Sequence, residues 1–255
     1  MTGRPVILLL AGEASGDLHG AGVARALLER WPDASLRGFG GDRMREAGVE
    51  LLAGLDDLAV MGFVEVLRHL PFFWRLEKRL KAILEAGEVD LVLPIDYPGF
   101  NLRAAREAHR RGIPVLYYIA PQVWAWKPHR ARRLAGEADR IAVILPFEEQ
   151  VFHEAGGEVR FVGHPLLEQT GGIPPRNDFL ESHGLDPSRP VLALFPGSRK
   201  QEIRRHGELF GETGRRVVKA RPEVQLAMAL APSISPDALG HPGITLVRDG
   251  RTLLH

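Results

Sequence analysis

The chain has 255 residues, 45% of them hydrophobic, and its 33 basic and 32 acidic side chains leave a formal charge of +1. That length suits one large or two moderate globular domains, two being expected, and the near-neutral charge gives no global field for nucleic acid, so a basic patch has to be local. A cysteine-free chain has no disulfide, thiolate metal site or cysteine nucleophile, which fits a reducing compartment, and the apolar run before Glu13 is too short for a signal peptide or a membrane span, so the expected location is cytoplasmic.

Val6 to Leu10 is a continuous apolar run, the pattern of a parallel strand covered on both faces, and Ala21, Ala24, Leu27 and Leu28 follow at helical spacing. Gly12, Gly16 and Gly20 lie between them. Two readings stand: a turn that needs glycine for its geometry, or a bare backbone that an anion or sugar approaches at the open first turn of a helix. Ser35 to Phe39 is the next strand and Asp42 to Ala47 a short helix, while 51–60 shows no clear period. Met61 to Trp74 is rich in large apolar side chains. From Pro71 onward Phe72, Leu76, Leu80, Ile83 and Leu84 keep helical period, with Arg75, Lys78, Arg79 and Lys81 elsewhere on the surface. This predicts either a helix lying on an anionic membrane surface or one packed on a sheet with a solvated charged face.

Val89 to Ile95 is a buried strand that runs into Asp96-Tyr97-Pro98-Gly99-Phe100-Asn101 before a helix over Leu102 to Arg111. Ligands of open parallel sheets bind outside the carboxyl ends of the strands, so Asp96 belongs to the same cleft as the first glycine turn, or else it orders its own turn. Ile113 to Ile119 leads into Trp124, Trp126, Lys127, His129 and Arg130. Tryptophan offers a platform to a sugar ring or acyl chain and Arg or Lys suits a phosphate, the alternative being core filler beside a solvated helix start. Arg140 to Leu145 and Val159 to Val162 finish the sheet around a helix over Pro146 to His153.

The stretch 169–177 reads as a linker between a domain over 1–168 and a second over 178–255. The second contains strands at Val191 to Phe195, Val224 to Leu230 and Ile244 to Val247, and a long helix from Lys200 to Ala220. Ser198 and Gln201 have capping-box spacing, and Arg199 is placed to clamp a pyrophosphate together with free helix N–H groups. The glycines match neither the dinucleotide fingerprint nor a P-loop, and Ser15 misses the nucleophile-elbow spacing. The histidines are scattered, so no metal is expected.

The strings AGEASGDLHGA (11–21), GFGGDRM (38–44), MGFVEVL (61–67), DYPGFN (96–101), YYIAPQVWAWKPHR (117–130), ILPFE (144–148), FVGHPL (161–166) and PGSRKQEI (196–203) stand in this order. The series resembles the lipid-A-disaccharide synthases. The resemblance implies an α/β fold of GT-B type, two Rossmann-like domains with parallel sheets facing a cleft, and no cofactor. It implies transfer of 2,3-diacylglucosamine from its UDP derivative to 2,3-diacylglucosamine 1-phosphate, giving the β-1,6 disaccharide and UDP at the inner face of the inner membrane. Asp96 would be the base and Arg199 would stabilise departing UDP, which agrees with what an inverting displacement requires. Residues expected at the substrates are Gly12, Glu13, Ser15, Gly16, Asn101, Gln122, Trp124, Lys127, Arg130 and Ser198, with the glycines making room for sugar rings. Phe63, Val66, Leu67, Leu70, Phe72, Phe73 and Trp74 would meet the bilayer as a peripheral surface, and a homo-oligomer stays open. By the resemblance the family's second domain runs on for another Rossmann half, at the usual ~30 residues or more per βαβ unit, so the second domain is expected to be incomplete here. Two alternatives remain: a UDP-sugar transferase for another acceptor, and an inactive sugar-phosphate or membrane-surface binding module.

Overall fold

The structure, a computed structural model, describes residues 4–54, 70–126, 129–170, 174–231, 234–239, 242–248 and 253. The membrane-facing positions Phe63, Val66 and Leu67 and the phosphate candidate Lys127 lie outside these residues, as do the side chains of Leu70, Phe72 and Phe73. By internal packing the chain divides into two units, Met1–Leu167 and Glu168–His255.

Strand β1 (Val6–Ala11) shows why the first unit forms a covered parallel sheet. Its side chains alternate between faces, so Leu8 and Leu10 enter one apolar core while Ile7, Leu9 and Ala11 enter the other. Each fully buried leucine contributes about 1.5–3 kcal/mol of burial. Parallel partners follow in the order β3-β2-β1-β4-β5-β6-β7, with β2 at Ser35–Gly40, β3 at Glu50–Gly54, β4 at Leu91–Ile95, β5 at Leu116–Tyr118, β6 at Arg140–Val143 and β7 at Val159–Phe161. Helices α1 (Ala14–Arg30) and α2 (Asp42–Glu46) contribute Ala21, Ala24 and Met44 to the core that holds Leu9. Helices α3 (Leu70–Glu85), α4 (Pro98–His109), α5 (Val123–Trp126), α6 (His129–Glu137) and α7 (Pro146–Glu154) follow; α3, α4, α6 and α7 supply Leu80, Ala104, Leu134 and Phe152 to the opposite core.

Leu76, Leu80 and Leu84 form the buried stripe of α3, so along those turns the helix is packed on the sheet. Helix α4 starts at Pro98 rather than Leu102, because proline suits a first helical position where the N–H has no partner anyway. Asp17, buried in α1, caps a different helix: its carboxylate accepts from the N–H groups of Gly41 (2.7 Å), Met44 (3.1 Å) and Arg43 (3.2 Å), binding the first turn of α2 to α1.

The second unit holds a parallel sheet ordered β10-β9-β8, formed by Val191–Leu194 (β8), Gln225–Ala229 (β9) and Ile244–Val247 (β10). Helix α8 (Arg176–Ser182) occupies the end of the stretch read as linker and the residues after it, anchored by buried Phe179 and Leu180. Helix α9 (Lys200–Ala220) lies close to this sheet through small residues; a Cβ on Gly214 would sit 3.0 Å from Leu226 and 3.1 Å from Leu194.

Candidate active site

Strand β1 is flanked by β2 on one side and β4 on the other, so the order of the sheet reverses at β1 and leaves a crevice at the carboxyl ends of β1 and β4. Ala11 and Ile95 are paired in register there, which sets Gly12 and Asp96 side by side as both chains leave the sheet. The backbone at this edge is strained. Asp96 (φ 50), Tyr97 (φ 49) and Ile119 (φ 57) are the non-glycine residues with positive φ among the described residues, and all three follow β4 or β5. Such a conformation costs on the order of 1–3 kcal/mol per residue and persists only where the surroundings hold it.

Asn101 holds it. Its Nδ2 donates to the carbonyls of Leu10 (3.0 Å), Ile95 (3.1 Å) and Asp96 (2.8 Å), joining the ends of β1 and β4. The Tyr117 hydroxyl donates to the same Asp96 carbonyl at 2.9 Å, and the Asp96 N–H donates to Tyr118 at 3.0 Å. Burial keeps the Tyr117 phenol well above its ordinary pKa, so it remains a donor. The Asp96 carboxyl is raised from its ordinary value chiefly by burial, against a hydrogen bond from the Tyr97 backbone and with the nearby Glu13 charge adding to the rise.

Asp96 opens on a cavity of about 410 Å³ within the first unit, whose polar lining includes Ser15, His19, Gln122, Arg130 and His164. Glu148, 1% exposed, forms part of the wall: Oε1 accepts from the Trp124 indole at 3.1 Å and Oε2 from the Leu145 N–H at 3.1 Å. Trp124 stands edge-on to Phe147 with ring centroids 4.8 Å apart. The cavity thus has a carboxyl group with raised proton affinity, hydrogen-bonding side chains and the Arg130 guanidinium, which suits proton removal from a polar ligand that carries an anionic group.

In the second unit, Arg199 precedes α9 and Glu202 caps it. The Glu202 carboxylate accepts from the N–H groups of Ser198 (2.9 Å) and Arg199 (3.0 Å) and from the Arg199 guanidinium (3.3 Å), which lowers its pKa. In place of the reciprocal capping box expected between Ser198 and Gln201 there is a one-sided cap, in which Glu202 accepts from the N–H groups of Ser198 and Arg199 and the Arg199 side chain accepts nothing.

A family model described as lipid-A-disaccharide synthetase matches residues 7–237. The chain belongs to that family. It is 45% identical over 229 residues to a lipid-A-disaccharide synthase of Geobacter sulfurreducens, with 90% of this chain and 60% of the relative covered. It spans about 60% of the length of the curated relatives it matches. Among solved structures, a UDP-GlcNAc 2-epimerase from Neisseria meningitidis aligns with TM-score 0.62 at 11% identity, covering 99% of this chain and 75% of its own. The calicheamicin glycosyltransferase aligns with TM-score 0.53 at 20% identity, covering 97% and 70%. The fold of this lipid-A-disaccharide synthetase family member is α/β, of the GT-B type.

Within this family member, the roles expected for several sequence-selected residues change. Asn101 is 1% exposed and its Nδ2 donates to three carbonyls, so it orders the Asp96 turn. Gly12 does not open space for a sugar, because the Tyr97 ring occupies it; a Cβ there would lie 2.2 Å from Tyr97 Cδ1. Gly16 is packed against Ala11, with a Cβ 3.3 Å from its side chain, and Gly20 against Met44, where a Cβ would fall 2.7 Å from sulfur. Ser15, Gln122 and Arg130 do line the cavity, Trp124 is held beside it by Glu148, and Glu13 acts on Asp96 through its charge. His19, His164, Tyr117 and Glu148 escaped selection: the histidines follow no metal spacing, and the burial of Tyr117 and Glu148 depends on segments distant in sequence.

Proposed function

We propose that this chain carries the acceptor-activating part, and the Arg199 part of the donor site, of an inverting sugar transfer from UDP-2,3-diacylglucosamine to 2,3-diacylglucosamine 1-phosphate. The observation that carries this reading is Asp96, a carboxyl of raised proton affinity facing a cavity in a member of the lipid-A-disaccharide synthetase family. In the reaction the acceptor's 6-hydroxyl oxygen forms a bond to C1 of the donor sugar as the bond from C1 to the diphosphate oxygen breaks. The hydroxyl proton passes to the Asp96 carboxylate and the bonding electrons leave with UDP. A partly buried carboxylate is a better base than an exposed one, since burial raises its affinity for the proton it takes. Arg199 offsets charge on the departing diphosphate, which competes with Glu202 for the guanidinium and for the N–H groups of Ser198 and Arg199.

The reading is tested by incubating the protein with both substrates and following UDP and lipid products. Disaccharide 1-phosphate and UDP are expected in equal amounts, with UDP release dependent on acceptor. UDP release at the same rate without acceptor, or no product at all, contradicts it.

The acyl chains of both substrates require access from a lipid surface at the cytoplasmic face of the inner membrane. Trp74, 74% exposed on α3 beside the exposed Arg75, Lys78 and Arg79, supports peripheral attachment there. No helix among the described residues is long and apolar enough to cross a membrane. In co-sedimentation with anionic phospholipid vesicles, Trp74→Ser is expected to lower the bound fraction about threefold. Unchanged sedimentation argues against this surface.

A further inference from the structure

We propose that His19, Arg130 and His164 form a subsite for the phosphate of a sugar 1-phosphate, in the same cavity as Asp96. The assignment rests on the transfer reading above and adds to it which side chains recognise the anionic end of the acceptor. The three side chains reach the cavity wall from separate elements: His19 from α1, Arg130 from α6 and His164 from the segment after β7. All three are half-buried.

Charge around them favours a dianion. Burial, and then the charge of His164, hold His19 below its ordinary pKa, so the proton on His19 is disfavoured while no anion lies beside it. An anion bound at this wall offsets that penalty and raises the proton affinity of His19. The opposing negative groups on the wall are Asp96, from the turn after β4, and Glu148, from α7. The Glu148 oxygens face the Trp124 indole and the Leu145 N–H, which offset its charge, while Asp96 has raised proton affinity and faces the hydroxyl in the transfer reading. Arg130 supplies a permanent charge and a planar donor fork matched to phosphate oxygens. A cavity of about 410 Å³ accommodates one sugar ring with its phosphate, so one ligand reaches both Asp96 and the three side chains of the subsite.

The test is equilibrium titration of the full chain with three probes: glucosamine 1-phosphate, methyl glucosaminide and inorganic phosphate. The wild type is expected to bind the sugar phosphate at least about tenfold more tightly than either other probe, the strength of one charge-assisted contact. His19→Ala, His164→Ala and Arg130→Gln should each reduce the preference over methyl glucosaminide by about fivefold or more, with thermal unfolding recorded to confirm folding. His19→Gln and His164→Gln provide milder variants that keep a donor and should lose less. Equal binding of the charged and neutral sugars, a preference that survives all three variants, or inorganic phosphate bound as tightly as the sugar phosphate overturns the proposal. Asp96→Asn separates it from the transfer reading: the preference is expected to persist in that variant while turnover falls. Turnover unaffected by Asp96→Asn contradicts the transfer reading alone, and a preference unaffected by the three cavity variants contradicts the subsite alone.

Discussion

The Asp96→Asn protein is expected to turn over about 10²–10⁴-fold more slowly than the wild type while unfolding at a higher temperature above neutral pH. Both effects come from one feature. Burial raises the Asp96 pKa above the ordinary 3.8 that the group regains when the chain unfolds. A carboxyl of this kind contributes its full stability below the unfolded value and loses it as pH rises through the folded value, because folding then has to bury a charge. Asparagine removes the charge and keeps an oxygen to accept from the Tyr97 N–H, so the gain in thermal stability should be largest at pH 8 and vanish toward pH 3.5. Thermal unfolding of both proteins across that range checks the sign. A variant less stable than wild type at pH 8 would show that the carboxylate is a net stabilising group, against this account of the site.

Asn101→Ala is expected to cost about 2–4 kcal/mol of stability and to lower turnover without altering any group that touches substrate. Three carbonyls at the ends of β1 and β4 lose their shared donor in a position 1% exposed. The left-handed turn at Asp96 and Tyr97 then loses a principal restraint, leaving the Tyr117 hydroxyl and the sheet bond to Tyr118. Asn101→Asp should be worse, since it sets a carboxylate against those carbonyls. Urea midpoints report the stability change. A midpoint within experimental error of wild type would mean that the turn is held by something other than the Asn101 amide.

Much of the fold is legible in the sequence because its signals are local. The run Val6 to Leu10 reads as a doubly covered strand and forms one, and the apolar rhythm and flanking turns of Lys200 to Ala220 define α9 at both ends. Strand-terminal placement also brings Asp96 to the crevice before any side-chain contact is known. What escapes is long-range. Gly12 reads as an opening for ligand, but the space is filled by Tyr97, whose ring direction depends on a left-handed backbone that no local pattern marks. Asp17 looks like an ordinary first-turn acid and instead caps α2 from the neighbouring helix. Asn101 looks like a polar residue at a strand-end site, and only its three carbonyl partners reveal a structural role. Helix α8 is hidden by the composition of its surroundings, where proline and glycine just upstream suggest linker and the burial of Phe179 and Leu180 decides otherwise.

Whether the half-buried Asp96 carboxylate is the base of the transfer is tested most directly by the pH dependence of kcat at saturating donor and acceptor for wild type and Asp96→Asn. The account predicts a single acid limb in the wild type, centred above the ordinary aspartate value of 3.8, and a residual rate in Asp96→Asn from which that limb is gone. The same limb in both proteins, or equal kcat in both, would contradict it.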